Sequence, residues 1–165
     1  MAIATLPRTY TSVGSPLGPL LLVGDDQGLA GLYLASHERC RPPEPGWTED
    51  ASALAGTALQ LEEYFAGTRT TFDVELDLVG TPFQVEVWTA LCAIPYGETI
   101  SYAELARRIG RPAAVRAVGS ANGRNPVSII VPCHRVIGAD GRLTGYGWGT
   151  ERKAWLLDHE RPTLG

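Results

Sequence analysis

The 165-residue sequence is short of several things, and each shortage narrows what it can be. No apolar run approaches the roughly 18–20 residues a membrane-spanning helix needs, so no membrane partner is expected. The opening Met1-Ala2-Ile3-Ala4-Thr5 has neither a charged n-region nor an apolar stretch, and no secretion signal is expected from it. Three cysteines, Cys40, Cys92 and Cys133, form no CxxC pair and no framework spacing, which suits a reducing compartment; a cytoplasmic protein is expected. His37 and Cys40 could supply two zinc ligands, but no second pair completes a tetrahedral set, so neither metal nor cofactor is expected. There is no internal repeat and no low-complexity segment. Acidic residues are scarce in one place: between 101 and 135 Glu104 stands alone against Arg107, Arg108, Arg111, Arg116, Arg124 and Arg135.

That local scarcity is hidden by the net charge of −4. Residues 1–100 carry 4 Lys/Arg against 13 Asp/Glu, and residues 101–165 carry 10 against 5, so the halves stand at −9 and +5. A basic face on an acidic chain is what a polyanion requires, because attraction to phosphates acts over about a Debye length. A merely solvated arginine-rich helix is the bland alternative, and charge alone does not separate the two.

What is present reads as two domains, 1–79 and 80–165. Apolar or β-branched runs at 9–13, 20–23 and 29–34 are punctuated by Gly14-Ser15-Pro16-Leu17-Gly18-Pro19 and Gly24-Asp25-Asp26-Gln27-Gly28, the pattern of short strands and turns. Leu54, Ala58, Leu61 and Phe65 recur at helical spacing and predict a helix over 52–65. Phe72, Val74, Leu76 and Leu78 alternate with Asp73, Glu75 and Asp77, predicting a half-buried strand with an acidic outer face. Beyond Gly80-Thr81-Pro82 the character changes. Phe83, Val87, Trp88 and Leu91 predict a buried helix ending at Ile94-Pro95. Ser101-Tyr102-Ala103-Glu104 reads as a capping box and Gly110 as the C′ residue of a second helix, with Pro112 in the first turn of a third over 113–121. Two short helices around a Gly-containing turn, the second bearing arginine, are a helix-turn-helix candidate. Residues 127–137 are apolar and β-branched, Gly145-Tyr146-Gly147-Trp148-Gly149 is a glycine-rich loop, and Thr150 caps a last helix through Glu160. The fold class is α/β (α+β): a small N-terminal α/β domain with an antiparallel sheet, then a mostly helical domain.

The chemistry sits in Val131-Pro132-Cys133-His134-Arg135-Val136. A thiolate is a far better nucleophile than a thiol, and neighbouring cationic groups hold a cysteine in that form. Pro132 lacks an N–H and has a fixed φ, which suits a short rigid element that aims one side chain. A buried structural cysteine beside a surface histidine is the bland alternative.

In these residues the second half resembles the O6-alkylguanine-DNA alkyltransferases, the methylated-DNA–protein-cysteine methyltransferases. The match runs from Gly80 to Glu160 through Gly80-Thr81-Pro82-Phe83-Gln84, Ile94-Pro95-Tyr96-Gly97-Glu98-Thr99, Ser101-Tyr102, Arg116-Ala117-Val118-Gly119, Asn125-Pro126, 131–136 and Trp155-Leu156-Leu157. Several motifs in one order and spacing are specific where one would not be. The resemblance implies direct-reversal DNA repair, with irreversible single-turnover transfer of an alkyl group from O6-alkylguanine, and from O4-alkylthymine, to Cys133. It implies His134 as a base acting through water, Glu160 as the carboxylate orienting that imidazole, and Asn125 as the residue positioning the Cys loop. Tyr102, Val136, Tyr146, Gly147 and Trp148 would line the base pocket, with the Cys133 and Val136 carbonyls facing the guanine amine. An O6 substituent is unreachable inside a duplex, so the nucleotide must be flipped out. Arg116 would fill the vacated stack, and Ala113, Ala117, Gly119, Ser120 and Ala121 would keep the helix slim enough for a minor groove. Arg107, Arg108, Arg111 and Arg124 would touch phosphates without sequence preference. The implied partner is double-stranded DNA carrying alkylated guanine; the protein would be a monomer in solution, with cooperative assembly on DNA left open. One departure stands out: vertebrate members follow the pocket tyrosine with serine and glycine, and here Gly147 and Trp148 follow it, which predicts a narrower mouth.

Rival readings are distinguishable. A lesion-flagging alkyltransferase-like protein carries tryptophan where Cys133 stands. A cysteine hydrolase would need an oxyanion hole, and no protease signature surrounds Cys133. A transcription regulator would more often show a dimerisation element and a base-reading helix, whereas 113–121 offers Arg116 alone.

Overall fold

The computed structural model describes residues 8–36, 43, 45–143 and 146–161. The candidate zinc pair His37 and Cys40, the opening five residues and Gly145 lie outside the described residues. Two compact units divide the chain, Met1–Leu78 and Val79–Gly165.

The first unit is built on β1 (Thr9–Val13), β2 (Leu20–Asp25), β3 (Gly28–Leu34) and β4 (Thr48–Glu49), in the order β3-β2-β1-β4. β2 runs antiparallel to both β1 and β3, and the short β4 pairs parallel with β1. Leu20, Leu21, Leu22 and Val23 are all buried, so the central strand is covered on both faces rather than half-exposed. Helix α1 (Ala55–Phe65) buries Leu61 and Tyr64 and begins three residues later than its apolar spacing predicts. The expected strand over 72–78 is not one. Its burial alternates as the sequence pattern does, but it is tied to the sheet by a single bridge, Leu29 to Leu76. There the Leu29 N–H donates to Glu75 O at 2.8 Å and the Asp77 N–H to Leu29 O at 2.9 Å. Gly28 permits this approach: its φ is +137°, and a Cβ there would stand 2.7 Å from the Glu75 carbonyl oxygen.

In the second unit, Thr81 caps α2 (Pro82–Leu91) through a complete capping box with Gln84. Residues β5 (Ile100–Ser101) lead directly into α3 (Tyr102–Arg108), followed by α4 (Val115–Gly123), which forms the second half of the helix-turn-helix. Ser101 caps α3 by accepting the Glu104 N–H, but the box is half-made, because the Glu104 carboxylate turns to Arg107 and Arg108 instead. Gly110 (φ +73°) closes α3 in a Schellman motif, with the Arg111 N–H on Ala106 O and the Gly110 N–H on Arg107 O, both 2.9 Å. Pro112 lies in the turn before α4 and not inside it, since the helix starts at Val115. The Trp88 indole N–H donates to Ala121 O at 2.8 Å and holds α2 to α4.

The apolar stretch 127–137 is mostly turn. A 3-10 turn, Cys133–Arg135, is followed by β6 (Val136–Ile137), which pairs parallel with β5. Helix α5 (Thr150–Glu160) closes the unit. Its N-cap is Gly149 and Thr150 makes no side-chain cap, contrary to the pattern's suggestion. The β5–β6 pair and the contacts of α5 with the 3-10 turn bring the start of α3, the Cys-His turn and the end of α5 together.

Candidate active site

Cys133 and His134 point inward from the 3-10 turn, 4 % and 0 % exposed. The turn ahead of them is braced by Asn125, whose Nδ2 donates to Val131 O at 2.7 Å while its Oδ1 accepts the Val127 N–H at 3.0 Å. Inside that brace Ile129 has φ +74°, a left-handed conformation that a β-branched residue adopts at a cost of roughly 1–3 kcal/mol. The Val127–Val131 turn and the Asn125 clamp therefore force the backbone into one aim. Asn122, at the end of α4, adds Nδ2 to Cys133 O at 3.4 Å.

Behind the cysteine lies a charged network. Glu160, 1 % exposed, accepts from His134 Nε2 at 2.7 Å. Arg135 reaches the same carboxylate with Nε at 2.8 Å and Nη2 at 3.0 Å, and spends Nη1 on Ile94 O at 2.7 Å. Burial by itself would raise the Glu160 carboxyl, but the hydrogen bonds and charges of His134 and Arg135 overcome it and pull the pKa down to about 2. Burial pushes His134 below its ordinary value despite Glu160, so the resting imidazole is neutral. With Nε2–H committed to Glu160, Nδ1 is the acceptor, and it has no hydrogen-bond partner among the described residues.

Adjacency to His134 and Arg135 suggests a cysteine held as thiolate, and burial works against that. Burial raises the Cys133 thiol above its ordinary value, and Asn125, Lys153 and Ser128 offset this in part. The adjacent Arg135 does not serve the sulfur, because its guanidinium is turned to Glu160. Being buried and paired, it also drops out of the basic face to which its charge assigns it.

Tyr146 is buried, its hydroxyl unpartnered among the described residues and its pKa driven well above the ordinary value by burial and by Cys133 and Glu160. The Trp148 indole is buried against it edge-on at 6.0 Å, and Gly147 between them is exposed. Tyr102 and Gly119 are half-buried; a Cβ on Gly119 would stand 3.8 Å from the Tyr102 ring. Val136 is buried and its carbonyl accepts from Lys153 Nζ at 2.5 Å. Three buried polar atoms without partners, Asn122 Oδ1, His134 Nδ1 and Tyr146 Oη, belong to this one neighbourhood. Orphaned groups of that kind are expensive, and their concentration here marks a place kept for chemistry.

On α4, Ala113 before it and Arg116, Ala117 and Ser120 along it are exposed, while Ala121 packs inward. Arg116 and Arg124 are exposed and make no ion pair among the described residues. Arg107 and Arg108 both pair with Glu104, at 2.6 and 3.3 Å, and Arg111 pairs with Glu86 at 3.3 Å above the Phe83 ring. Exposed pairs of this sort are worth about 0–1 kcal/mol, so an incoming phosphate competes readily for these arginines.

Three residues of the site carry no prior expectation: Arg135 as partner of Glu160, Asn122 and Lys153. A signal for Lys153 exists, since Lys153, Leu156 and Glu160 fall on one stripe of α5 and all three are buried.

Comparison with known proteins follows the division of the chain. Residues 9–78 match the family described as the 6-O-methylguanine DNA methyltransferase ribonuclease-like domain, and residues 82–162 the DNA-binding domain of the same proteins. A methylated-DNA–protein-cysteine methyltransferase of Mycolicibacterium paratuberculosis is 56% identical over 92% of each chain. The crystal structure of Mycobacterium tuberculosis O6-methylguanine methyltransferase superposes with a TM-score of 0.87 at 53% identity, over 96% of each chain. The structure of the Mycobacterium tuberculosis OGT in complex with DNA gives 0.86 at 53% identity, over 94% of this chain and 96% of that one.

Proposed function

We propose, for a chain that belongs to the 6-O-methylguanine DNA methyltransferase family, that it repairs DNA by direct reversal, taking the alkyl group of O6-alkylguanine onto Cys133. The observation that carries this reading is the buried Cys133 set beside a buried His134 whose Nε2 meets the Glu160 carboxylate at 2.7 Å. The His134 imidazole takes the thiol proton at Nδ1, through a bridging water. The sulfur attacks the alkyl carbon, a C–S bond forms as the C–O6 bond breaks, and the electron pair goes to the purine. Guanine leaves protonated at N1, so the proton lost by sulfur is balanced by the one gained by the base. Nothing in this sequence regenerates the thiol from a thioether, so each molecule acts once.

Glu160 stabilises the imidazolium as it forms, and Arg135 holds Glu160 ionised and in place. Asn125 and Asn122 aim the turn. Tyr102, Val136, Tyr146, Gly147 and Trp148 form the base pocket. On the DNA side Arg116 enters the stack left by the flipped nucleotide, with Ala117, Gly119 and Ser120 against the groove and Arg107, Arg108, Arg111 and Arg124 on phosphates. Domain 1–79 supports and domain 80–165 reacts. No helix among the described residues is long and apolar enough to cross a membrane. The cytoplasmic location belongs to the same proposal and follows from the sparse, unpaired cysteines.

The test is intact and peptide mass spectrometry after mixing the protein with a duplex bearing one O6-methylguanine. A gain of about 14 Da on the Cys133 peptide, one per protein and without turnover, is expected for one added methylene. DNA binding without a mass gain would make the protein a lesion sensor and remove Cys133 from the reaction.

A further inference from the structure

The turn that follows α2 closes around the charges behind Cys133. Pro95-Tyr96-Gly97-Glu98 is a tight four-residue turn: the Glu98 N–H donates to Pro95 O at 3.1 Å, and Gly97 supplies at the third position the positive φ, +82°, that such a turn needs. Tyr96 is thereby fixed at the second position, half-buried, with its hydroxyl at the end of α5. The next element, β5, pairs with β6 and keeps this turn beside the Cys-His turn.

Three contacts join the turn to the Glu160 carboxylate. Ile94 O accepts from Arg135 Nη1 at 2.7 Å, the Tyr96 ring lies under the same guanidinium with Cζ 5.7 Å from its centroid, and the Tyr96 hydroxyl donates to His159 O at 3.3 Å. Arg135 grips Glu160 with Nε and Nη2, and Glu160 is the residue after His159. These contacts close on themselves. The tyrosine ring holds the guanidinium, the guanidinium holds the carboxylate, and one peptide link leads from Glu160 to the carbonyl that the tyrosine hydroxyl binds. Trp155 stacks on the His159 ring at 4.9 Å and 14°, steadying the same turn of helix. A guanidinium is drawn to the negative face of an aromatic ring, more strongly where water is excluded, and Arg135 is buried. Glu160 is the last residue of α5, and a helix end left to itself frays. A frayed end could not keep one carboxylate on His134 and Arg135 together.

We propose that Tyr96 is a positioning residue of the transfer reaction: its ring holds the Arg135 guanidinium and its hydroxyl holds the last turn of α5, so that the Glu160 carboxylate is fixed where it orients His134. The inference rests on the reading of Cys133 as alkyl acceptor and His134 as its base. Burial, and Glu160 after it, raise the Tyr96 hydroxyl above its ordinary value while Arg135 opposes them, so the hydroxyl stays a donor at neutral pH. The aromatic face and the hydroxyl do separate work, one on the cation and one on the helix end, and substitution can remove them one at a time.

The test reads His134 directly. An imidazole N–H held by a buried carboxylate gives a downfield proton resonance in slow exchange with water, and the His134 signal is assigned by its absence from His134→Gln. Tyr96→Phe removes the hydroxyl and keeps the ring, whereas Tyr96→Met removes both while its flexible chain fills the space. A graded response is expected: Nε2–H exchange about threefold faster in Tyr96→Phe and at least about tenfold faster in Tyr96→Met. Single-turnover methyl transfer should slow in the same order, by about threefold and about tenfold, with duplex affinity within about twofold. A merely structural tyrosine would lower the urea midpoint and leave the imidazole signal and the rate of the folded protein as they were. That outcome in Tyr96→Met overturns the proposal. Should Tyr96→Met yield no folded protein, Tyr96→Phe decides alone, and unaltered exchange and rate in it overturn the proposal. Failure of the repair reading looks different: the natural protein takes no methyl from the duplex, while the His134 proton still responds to both substitutions.

Discussion

The two units bury different things. Among the described residues, the first unit's core is leucine with Val23, Ala30 and Tyr64, and Thr11 is its buried polar residue. The second unit buries Asn122, Ser128, His134, Arg135, Lys153 and Glu160 within an apolar shell of Val87, Leu91, Leu105, Val118 and Leu156. A core of the first kind is stabilised by area removed from water, at about 25 cal/mol per Å2. The second kind surrenders part of that gain to desolvate charges, and it recovers it where partners are exact, as at Arg135 and Glu160. Where partners are missing, at His134 Nδ1 and Tyr146 Oη, the cost stays, and the first of these is the atom proposed to take the thiol proton. The contrast teaches that buried charge is confined to one unit among the described residues, while unpartnered buried polar atoms occur in both, at Asp25 Oδ2 and Trp47 Nε1 in the first and around Cys133 in the second.

Breaking the reactive side gives the largest effect. Cys133→Ser is expected to abolish methyl transfer while leaving duplex affinity unchanged, checked by peptide mass and fluorescence anisotropy. Glu160→Gln comes next. It leaves Arg135 and His134 without their shared anion, so a loss of about 3–5 kcal/mol in urea unfolding is expected together with a large drop in transfer rate. In the first unit, Leu22→Ala is expected to cost a similar 2–5 kcal/mol through its cavity, yet transfer per folded molecule should not change. If Leu22→Ala slowed single-turnover transfer in proportion to its destabilisation, the separation of roles between the units would be wrong.

Acid sharpens the same contrast. The Glu160 carboxyl lies at about 2 in the folded chain and near 4.5 in its ordinary state. A lowered folded pKa means that its contribution is full above the ordinary value and is lost as the pH falls through the folded one. Stability measured by denaturant should thus fall between about pH 4.5 and pH 2, by about 3 kcal/mol from this group, and Glu160→Gln should lack that component. The smallest effect is one of selectivity: Trp148→Gly is expected to raise the benzyl-to-methyl transfer ratio, measured on two duplexes, because the indole fills volume beside Tyr146. An unchanged ratio removes Trp148 from the pocket mouth.

Much of the fold is legible along the chain because it follows local rules. Thr81 with Gln84, Ser101 ahead of α3 and Gly110 at its end act within a few residues of themselves, and the apolar runs at 20–23 and 29–34 between turn residues mark buried strands. Segments whose state depends on distant pairing misread. Residues 72–78 alternate like a strand but meet the sheet at one bridge, and 127–137 looks like a strand but is folded into a turn that holds Ile129 in a left-handed conformation. Arg135 shows the same limit in the site, since adjacency to Cys133 suggests a partner for the thiol and the fold sends its charge to Glu160, 25 residues away.

The linear order of residues was enough to determine the chemistry available: a cysteine beside a histidine, a carboxylate ending the last helix, arginines gathered on two short helices, and the family to which such a set belongs. Tertiary structure alone decided the protonation states and the partnerships. Burial costs and charge pairs depend on which groups share a low-dielectric interior, and that is settled when β5 meets β6 and α5 closes on the Cys-His turn. So burial raises the Cys133 thiol above its ordinary value, Glu160 is held well below its own where burial alone would raise it, and the chain's one lysine lies over the Tyr102 ring.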